Sequence, residues 1–327
     1  DAYRRVTHSA KAASQTIIVL AGIAFLALRL SFGGSPNPPT WCSFSEMVTD
    51  LSNEIPLCKE WDHDNLRSPA QPETPEPRVL PAEIPIAPAR AIAFDIPTEV
   101  TARTDSFIDD LIRVFLDTPK NRSREPHAVP LAIHVTSRPH AGSSEPVPRR
   151  GLLSAPKLEA EGTPAEEQIV LGWKLNTRTL TVTLPPDKFE AWSSDLKKIL
   201  QAGRVTFGEL ESVLGRLNHV GFIIPLACHF LHRMRLRIRQ RRHKKQEISL
   251  GLEELEDIRL WVRFLSHAHS GIPMNLITIR RPSKIGFSDS CPFDLGGFLL
   301  SGRAWRVRIP RTSFLYGAAV LNTVLAS

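Results

Sequence analysis

Eight prolines between positions 69 and 97 constrain the fold of this 327-residue chain more than any other feature. Proline lacks a backbone N–H and its ring fixes φ, so it is excluded from helix interiors and from central strands. Residues 57–97 are therefore predicted to be an extended linker or a surface insertion that divides the chain. The prolines stand at positions 69, 72, 75, 77, 81, 85, 88 and 97.

Apolar periodicity predicts the elements on either side of the prolines. A spacing of three to four residues predicts helices over 44–55 and within 187–268, and short apolar or alternating runs predict strands at 169–173, 180–184, 276–279 and 285–289. The chain is therefore predicted to contain both helices and strands. The expected segments are 1–56, 57–97, 98–184, 185–270 and 271–327.

Composition narrows the classes of protein. A hydrophobic content of 42% excludes a disordered chain, and a net charge of +7 favours a polyanionic partner. The four cysteines form no CxxC pair, which favours a reducing intracellular compartment, cytoplasm or nucleus, and argues against a zinc knuckle. The apolar run 16–30 contains Arg29 and is shorter than the roughly 20 residues of a membrane span, so buried strands are predicted there.

Two adjacent carboxylates, Asp109 and Asp110, lie between the apolar stretches Phe107-Ile108 and Leu111-Ile112. This pattern predicts a hairpin with both acids at its tip. Because neighbouring carboxylates repel each other, a fold that keeps both ionised usually supplies cations, and a pair of Mg²⁺ ions about 3.5–4 Å apart serves phosphoryl transfer. The alternative is that the acids only open a helix, where they favour the first turn.

A basic run extends from Arg233 to Lys245, with eight Lys or Arg in thirteen residues. Its charge fits contact with nucleic-acid phosphates. A localisation signal or a solvated helix end is the alternative. The arginines of the run are Arg233, Arg235, Arg237, Arg239, Arg241 and Arg242.

Several segments, in chain order, resemble the reverse transcriptases of retroelements, in particular DIRS-like and related retrotransposons. The segments that resemble palm motifs are Asp1-Ala2-Tyr3, Phe32-Gly33-Gly34-Ser35-Pro36, Phe107-Ile108-Asp109-Asp110, Lys157 and Leu171-Gly172-Trp173. The segment 209–219 resembles part of the thumb, and Phe287-Ser288-Asp289 with the following Gly296-Gly297 resembles the first strands of an RNase H domain. The resemblance implies an α+β fold, with a right-hand polymerase palm (an antiparallel sheet with helices), a helical thumb and an incomplete RNase H-like α/β region.

The resemblance also implies roles for individual residues. Asp109 and Asp110 would bind Mg²⁺ or Mn²⁺, and Lys157 would contact phosphate or protonate pyrophosphate. Tyr3 would be the steric gate against ribonucleotides, whereas an ordinary half-buried tyrosine is the alternative. The remaining substrate and primer contacts would be Phe32, Gly33, Gly34, Leu171, Gly172 and Trp173. A plain turn for the glycines, a surface position for Lys157 and a core position for Trp173 stay open.

Carboxylates that the family pattern requires are missing from this sequence at two places, and this limits the activity expected of the chain. The third metal ligand of the family pattern would lie upstream of Asp1, so the chain by itself is expected not to extend a primer. Asp289 would begin an RNase H metal site, but no Asp or Glu follows Asp294, so no RNase H activity is expected.

The function expected from the resemblance is RNA-directed DNA polymerisation as part of a retrotransposon polyprotein. The partners would be an RNA or DNA template-primer and deoxynucleoside triphosphates, with no membrane and no small-molecule cofactor. Two alternatives remain: a non-catalytic nucleic-acid-binding relic or co-opted copy, and a basic scaffold protein unrelated to polymerases.

Overall fold

The computed structural model describes residues 9–15, 17–26, 37–66, 76–90, 100–137, 155–239, 243–278, 285–291 and 293–310. The described chain has α+β structure with small antiparallel sheets, so the α+β part of the predicted fold class is confirmed. It divides into two compact units. The first contains described residues up to 86, residues 100–179 and Thr183–Pro185, and the second contains 87–90, Leu180–Val182 and residues from 186 onward.

In its described residues, the first unit combines three antiparallel strand pairs with one long helix. Its elements are α1 (Ala10–Gln15), β1 (Ile17–Leu20), β2 (Ile23–Leu26), α2 (Asn37–Glu54), β3 (Ala102–Phe107), β4 (Asp110–Phe115), α3 (Pro119–Arg124), α4 (Ala128–Ser137), α5 (Ala155–Glu161), β5 (Glu167–Val170) and β6 (Trp173–Asn176). Short 3₁₀ turns follow α2 and α3, at Ile55–Leu57 and Glu125–His127. The strand pairs β1–β2, β3–β4 and β5–β6 are antiparallel.

The second unit is mainly helical and ends in a three-stranded antiparallel meander, β11–β12–β13. Its elements are β7 (Thr181–Thr183), which reaches the boundary, α6 (Pro186–Ala202), β8 (Arg204–Thr206), α7 (Phe207–Gly221), a 3₁₀ segment (Pro225–Leu231), α8 (His232–Arg239), β9 (Glu247–Ser249), α9 (Leu252–Ser270), β10 (Ile272–Pro273), α10 (Met274–Ile277), β11 (Gly286–Ser290), β12 (Asp294–Leu299) and β13 (Ala304–Arg308).

The apolar faces predicted for helices α6, α7 and α9 form the core of the second unit. These helices contribute Leu196, Leu210, Leu217, Ile258, Trp261 and Leu265, and the 3₁₀ segment and α8 add Leu231 and Met234, all almost fully buried. Helix α7 begins at a capping box, in which Thr206 accepts from the Glu209 backbone amide and the Glu209 carboxylate accepts from the Thr206 amide. This pairing satisfies amides that a helix start leaves without partners.

Three local predictions from the sequence are wrong. The run 169–173 is not one strand, because Leu171 (φ 49°) and Gly172 (φ 80°) form the turn between β5 and β6. The strand predicted at 276–279 is not found in its described residues, because Leu276 and Ile277 are the last two residues of helix α10 and Thr278 follows the helix. The strands predicted to be buried within 16–30 exist, but Val19 and Ile23 are among five of their large side chains that are exposed.

The proline-rich insertion makes specific contacts where it is described. Arg78 forms an isolated parallel bridge with Ala165, and its amide donates to the carbonyl of Pro164. Arg178 donates to the carbonyls of Pro81 and Ile84 while its guanidinium pairs with Glu166. These bonds attach residues 78–84 to the segment around β5 and β6, and the described residues 76–90 of the insertion contain no helix and no central strand.

Candidate functional site

The tip of the β3–β4 hairpin presents both carboxylates. Phe107 pairs with Asp110 across the ladder, so Ile108 and Asp109 form the two-residue turn. Asp109 and Asp110 are both exposed, as a site that receives a charged ligand from solvent requires. Ile108 has a φ of 57°, a left-handed conformation that is unusual for a β-branched residue. The hairpin predicted from Phe107-Ile108-Asp109-Asp110 is therefore present, and no helix begins at the acids.

Helix α2 attaches to this hairpin at two levels. At the tip, the indole Nε1 of Trp41 donates to the carbonyl of Ile108 over 2.8 Å. Lower down, the Asn53 side chain donates to the Thr104 carbonyl over 3.1 Å and accepts from the Thr104 amide over 2.7 Å. These bonds hold strand β3 and its turn against one face of α2.

A buried ion pair lies below the tip. Arg113 of β4 pairs with Glu125, and their side chains are only 8% and 2% exposed. The guanidinium of Arg113 also donates to the Ser52 carbonyl and to the Thr104 hydroxyl. Because the arginine contacts α2, β3 and the 3₁₀ turn after α3 together, it joins the elements that support the hairpin. No pattern in the sequence identifies this pair, because each residue reads as an ordinary surface charge.

Lys157 lies beside the carboxylates. Its Nζ is 4.0 Å from Oδ1 of Asp110 and 3.6 Å from Oε2 of Glu161, one helical turn along α5. The Lys157 and Asp110 side chains are 60% and 51% exposed, so their pairing contributes little to stability. The structure thus brings Lys157, which the sequence marked separately, to the adjacent pair Asp109 and Asp110.

The hairpin containing Leu171, Gly172 and Trp173 belongs to the same unit. Leu171 is at the turn and 41% exposed, whereas Trp173 is only 8% exposed. The core position considered for Trp173 is therefore the one observed, and the contact with a primer end stays a prediction for the turn residues.

The first part of the basic run, from Arg233 to Arg239, lies in helix α8 of the second unit, and two of its arginines form ion pairs with α9. Arg233 pairs with Asp257 over 2.9 Å and with Glu253 over 3.1 Å, and Arg237 pairs with Glu254 over 2.7 Å. Burial raises the pKa of Glu254, but hydrogen bonds from Arg237 and from backbone amides outweigh it, so that pKa is lowered. These arginines therefore contribute to packing between helices.

The other described arginines of α8 differ in their contacts. Arg235 donates to the Asn218 side chain over 2.7 Å, and Arg239 is exposed. His243, Lys244 and Lys245 continue the exposed basic surface beyond the helix. Among the described residues, Arg239 and the two lysines are thus the basic side chains of this run best placed to meet an anionic partner.

Asp289 lies on β11 opposite Gly296 and is exposed. Nearby, Asp294 of β12 pairs with Arg306 of β13 over 2.8 Å, and this hydrogen bond lowers the pKa of Asp294. Within the described ranges, the potential metal-ligand group of three or more side chains is elsewhere, at Asp62, His63 and Asp64. There, Asp62 accepts from the Asp64 amide and from Asn65, which is the bonding of a local turn.

Six residues marked in the sequence lie outside the described residues. They are Tyr3, Phe32, Gly33, Gly34, Arg241 and Arg242. The described part of the chain contains no helix that is both long and apolar enough to cross a membrane.

Comparisons with known proteins give distant structural matches. No family model and no curated protein matches the chain. The chain is similar to a foamy viral protease-reverse transcriptase in complex with an RNA/DNA hybrid, at 13% identity and a TM-score of 0.48, covering 95% of this chain and 32% of that chain. A second similarity is to the foamy viral protease-reverse transcriptase in complex with dsDNA, at 13% identity and a TM-score of 0.43, covering 94% and 49%. The chain thus spans only 32% and 49% of the length of those chains.

Proposed function

We propose that this chain is the palm and thumb part of a retroelement reverse transcriptase, and that nucleotidyl transfer in the parent protein takes place at the tip of the β3–β4 hairpin. The observation that carries the proposal is the pair of exposed carboxylates, Asp109 and Asp110, on a turn attached to α2. The order of the other motifs along the chain supports it. The partners proposed are a nucleic-acid template-primer and deoxynucleoside triphosphates.

The donor set at the tip fits Mg²⁺ or Mn²⁺. Both ligand groups are carboxylates, the hard oxygen donors that Mg²⁺ prefers, and Mg²⁺ sites commonly combine one or two carboxylates with water and substrate phosphates. Asp109 and Asp110 would hold the ions. When bound, two such ions neutralise charge on the attacking and leaving oxygens of an in-line displacement.

Lys157 has a separate role in this proposal. Its ammonium lies 4.0 Å from Asp110 and is 60% exposed, so it can turn from the carboxylate toward a phosphate that reaches the tip. There, Nζ would bind the pyrophosphate oxygens and donate a proton to them as they leave. An ammonium on a flexible stem suits this task because it binds phosphate as a mobile point charge.

The test measures binding of Mn²⁺ to the full chain by the loss of the free-ion signal in electron paramagnetic resonance. Asp109→Asn is expected to weaken binding at least about tenfold, because one of two charged ligands is removed. Asp105→Asn is the matched control, since Asp105 is an exposed acid on the same hairpin but away from its tip. Equal affinities for the wild type and both variants would overturn the proposed site.

The alternative function is nucleic-acid binding without catalysis, favoured by the exposed basic residues Arg239, Lys244 and Lys245. The same variants separate the two functions. Tight binding of a fluorescent template-primer, combined with Mn²⁺ affinity that Asp109→Asn leaves unchanged, would support the alternative.

A further inference from the structure

The turn before the two carboxylates contains a conformational conflict. Ile108 is a β-branched residue held at φ 57°, a region where its side chain crowds the backbone. Asp109, the other turn residue, is not in this region. Glycine is the residue that a two-residue hairpin turn with this pattern usually has at its first position. The conformation therefore needs support from outside the hairpin.

The Ile108 side chain does not supply that support by burial, because Ile108 is 37% exposed. The backbone of Ile108 receives it instead, through the hydrogen bond from Trp41 to its carbonyl. Trp41 is itself only 7% exposed and packs against Phe44, with ring centroids 5.0 Å apart. The donor is therefore held in place by helix α2, 67 residues away in sequence.

We infer that Trp41 is a positioning residue for the metal-binding tip: its indole N–H holds Ile108 in the left-handed conformation and thereby sets the direction of Asp109 and Asp110. This inference rests on the proposed function, because it requires that Asp109 and Asp110 jointly bind a metal ion. An ion that needs both carboxylates in one arrangement loses affinity in proportion to the population of that arrangement.

Two variants separate the hydrogen bond from packing. Trp41→Phe removes the N–H and keeps a ring against Phe44. Trp61→Phe is the matched control, because Trp61 is a tryptophan of the same unit, 8% exposed, whose Nε1 has no hydrogen-bond partner. Both changes remove similar volume from a buried site, so a difference between the variants reports the hydrogen bond.

The first measurement is amide hydrogen exchange across residues 104–113 of the full chain. Trp41→Phe is expected to lower protection at Phe107 and Asp110 about three- to tenfold, the effect of one net hydrogen bond on local opening. Trp61→Phe is expected to leave these amides unchanged. Equal protection at the tip in Trp41→Phe and Trp61→Phe would overturn the inference.

The second measurement is Mn²⁺ affinity, with a rescue. Trp41→Phe is expected to weaken binding about threefold or more, as the arrangement that binds metal loses population. Adding Ile108→Gly is expected to restore much of the affinity, because glycine adopts positive φ without steric cost. A double variant that binds no better than Trp41→Phe would show a role in folding only and would overturn positioning.

The two proposals fail in different ways. If Asp109→Asn leaves Mn²⁺ affinity unchanged, the proposed metal site is overturned, and with it any positioning of metal ligands. If Asp109→Asn weakens binding but Trp41→Phe does not, the metal site stands and the positioning role of Trp41 is overturned.

Discussion

The buried pair of Arg113 and Glu125 makes the strongest prediction about stability. Glu125→Gln keeps the shape of the side chain but removes its charge, and it leaves the Arg113 guanidinium only 8% exposed without its carboxylate. The remaining partners of Arg113, the Ser52 carbonyl and the Thr104 hydroxyl, are neutral and do not balance that charge. The cost arises because a buried cation without an anion retains its desolvation penalty.

Removal of one partner from a buried ion pair destabilises a protein by about 3–5 kcal/mol. With a urea dependence of about 2 kcal/mol per molar, this corresponds to a midpoint about 1.5–2.5 M lower. The double variant Arg113→Met with Glu125→Leu is expected to be less destabilised than Glu125→Gln alone, because neither charge then remains buried. The order of the single and the double variant thus separates an uncompensated charge from lost packing.

The assay is amide hydrogen exchange along β3 and β4 as a function of urea, because the chain has two units and a global signal would combine them. Asp117→Asn is the matched control. Asp117 pairs with Arg122, but these side chains are 42% and 40% exposed, so the expected loss is below about 1 kcal/mol. A loss for Glu125→Gln no larger than that of Asp117→Asn would refute the reasoning.

Three further predictions concern pH, salt and a turn. The pKa of Glu254 is lower in the folded chain than its ordinary value of 4.5, so its contribution to stability is present above about pH 4.5 and is lost as the pH falls through the folded pKa. Glu254→Gln is therefore expected to lower stability at pH 7 and to flatten the acid dependence, as urea midpoints between pH 3 and 7 will show. Arg239→Gln is expected to reduce the salt slope of duplex binding by about 0.9, the value for one phosphate contact, in anisotropy titrations over several salt concentrations. Leu171→Asn is expected to raise stability by about 0.5–1 kcal/mol in urea unfolding, because Asn tolerates the positive φ of a turn that continues into Gly172.

Each of these has an outcome that contradicts it. The Glu254 prediction is contradicted if the urea midpoints of the wild type and of Glu254→Gln fall in parallel as the pH is lowered. For Arg239, the contradicting result is a salt slope equal to that of Lys198→Gln, an exposed lysine on helix α6. For Leu171, it is a loss of stability, which would mean that the leucine side chain packs more favourably than its 41% exposure implies.

Local patterns in the sequence were sufficient to predict the elements in which apolar residues recur at a regular spacing over several turns or strands. The three- to four-residue spacing of apolar residues predicted α6, α7 and α9, because such residues share one helix face. Two acids between apolar runs predicted the β3–β4 hairpin and its tip. The periodicity signal was weakest for short elements, because a short apolar run fits a strand, a turn or a helix equally well. The turn at Leu171 and the helix from Met274 were both predicted as strands for this reason.

The sequence by itself therefore predicted the mixture of helices and strands, the long amphipathic helices and the pair of acids for which metal binding is proposed, because these patterns depend on near neighbours in the chain. Only the tertiary structure decided what holds and surrounds them. Trp41 reaches the Ile108 carbonyl, Lys157 reaches Asp110, and α9 engages Arg237 of the basic helix. Such pairings depend on how distant segments pack together, and pairwise contacts of this kind leave no periodicity in a single sequence.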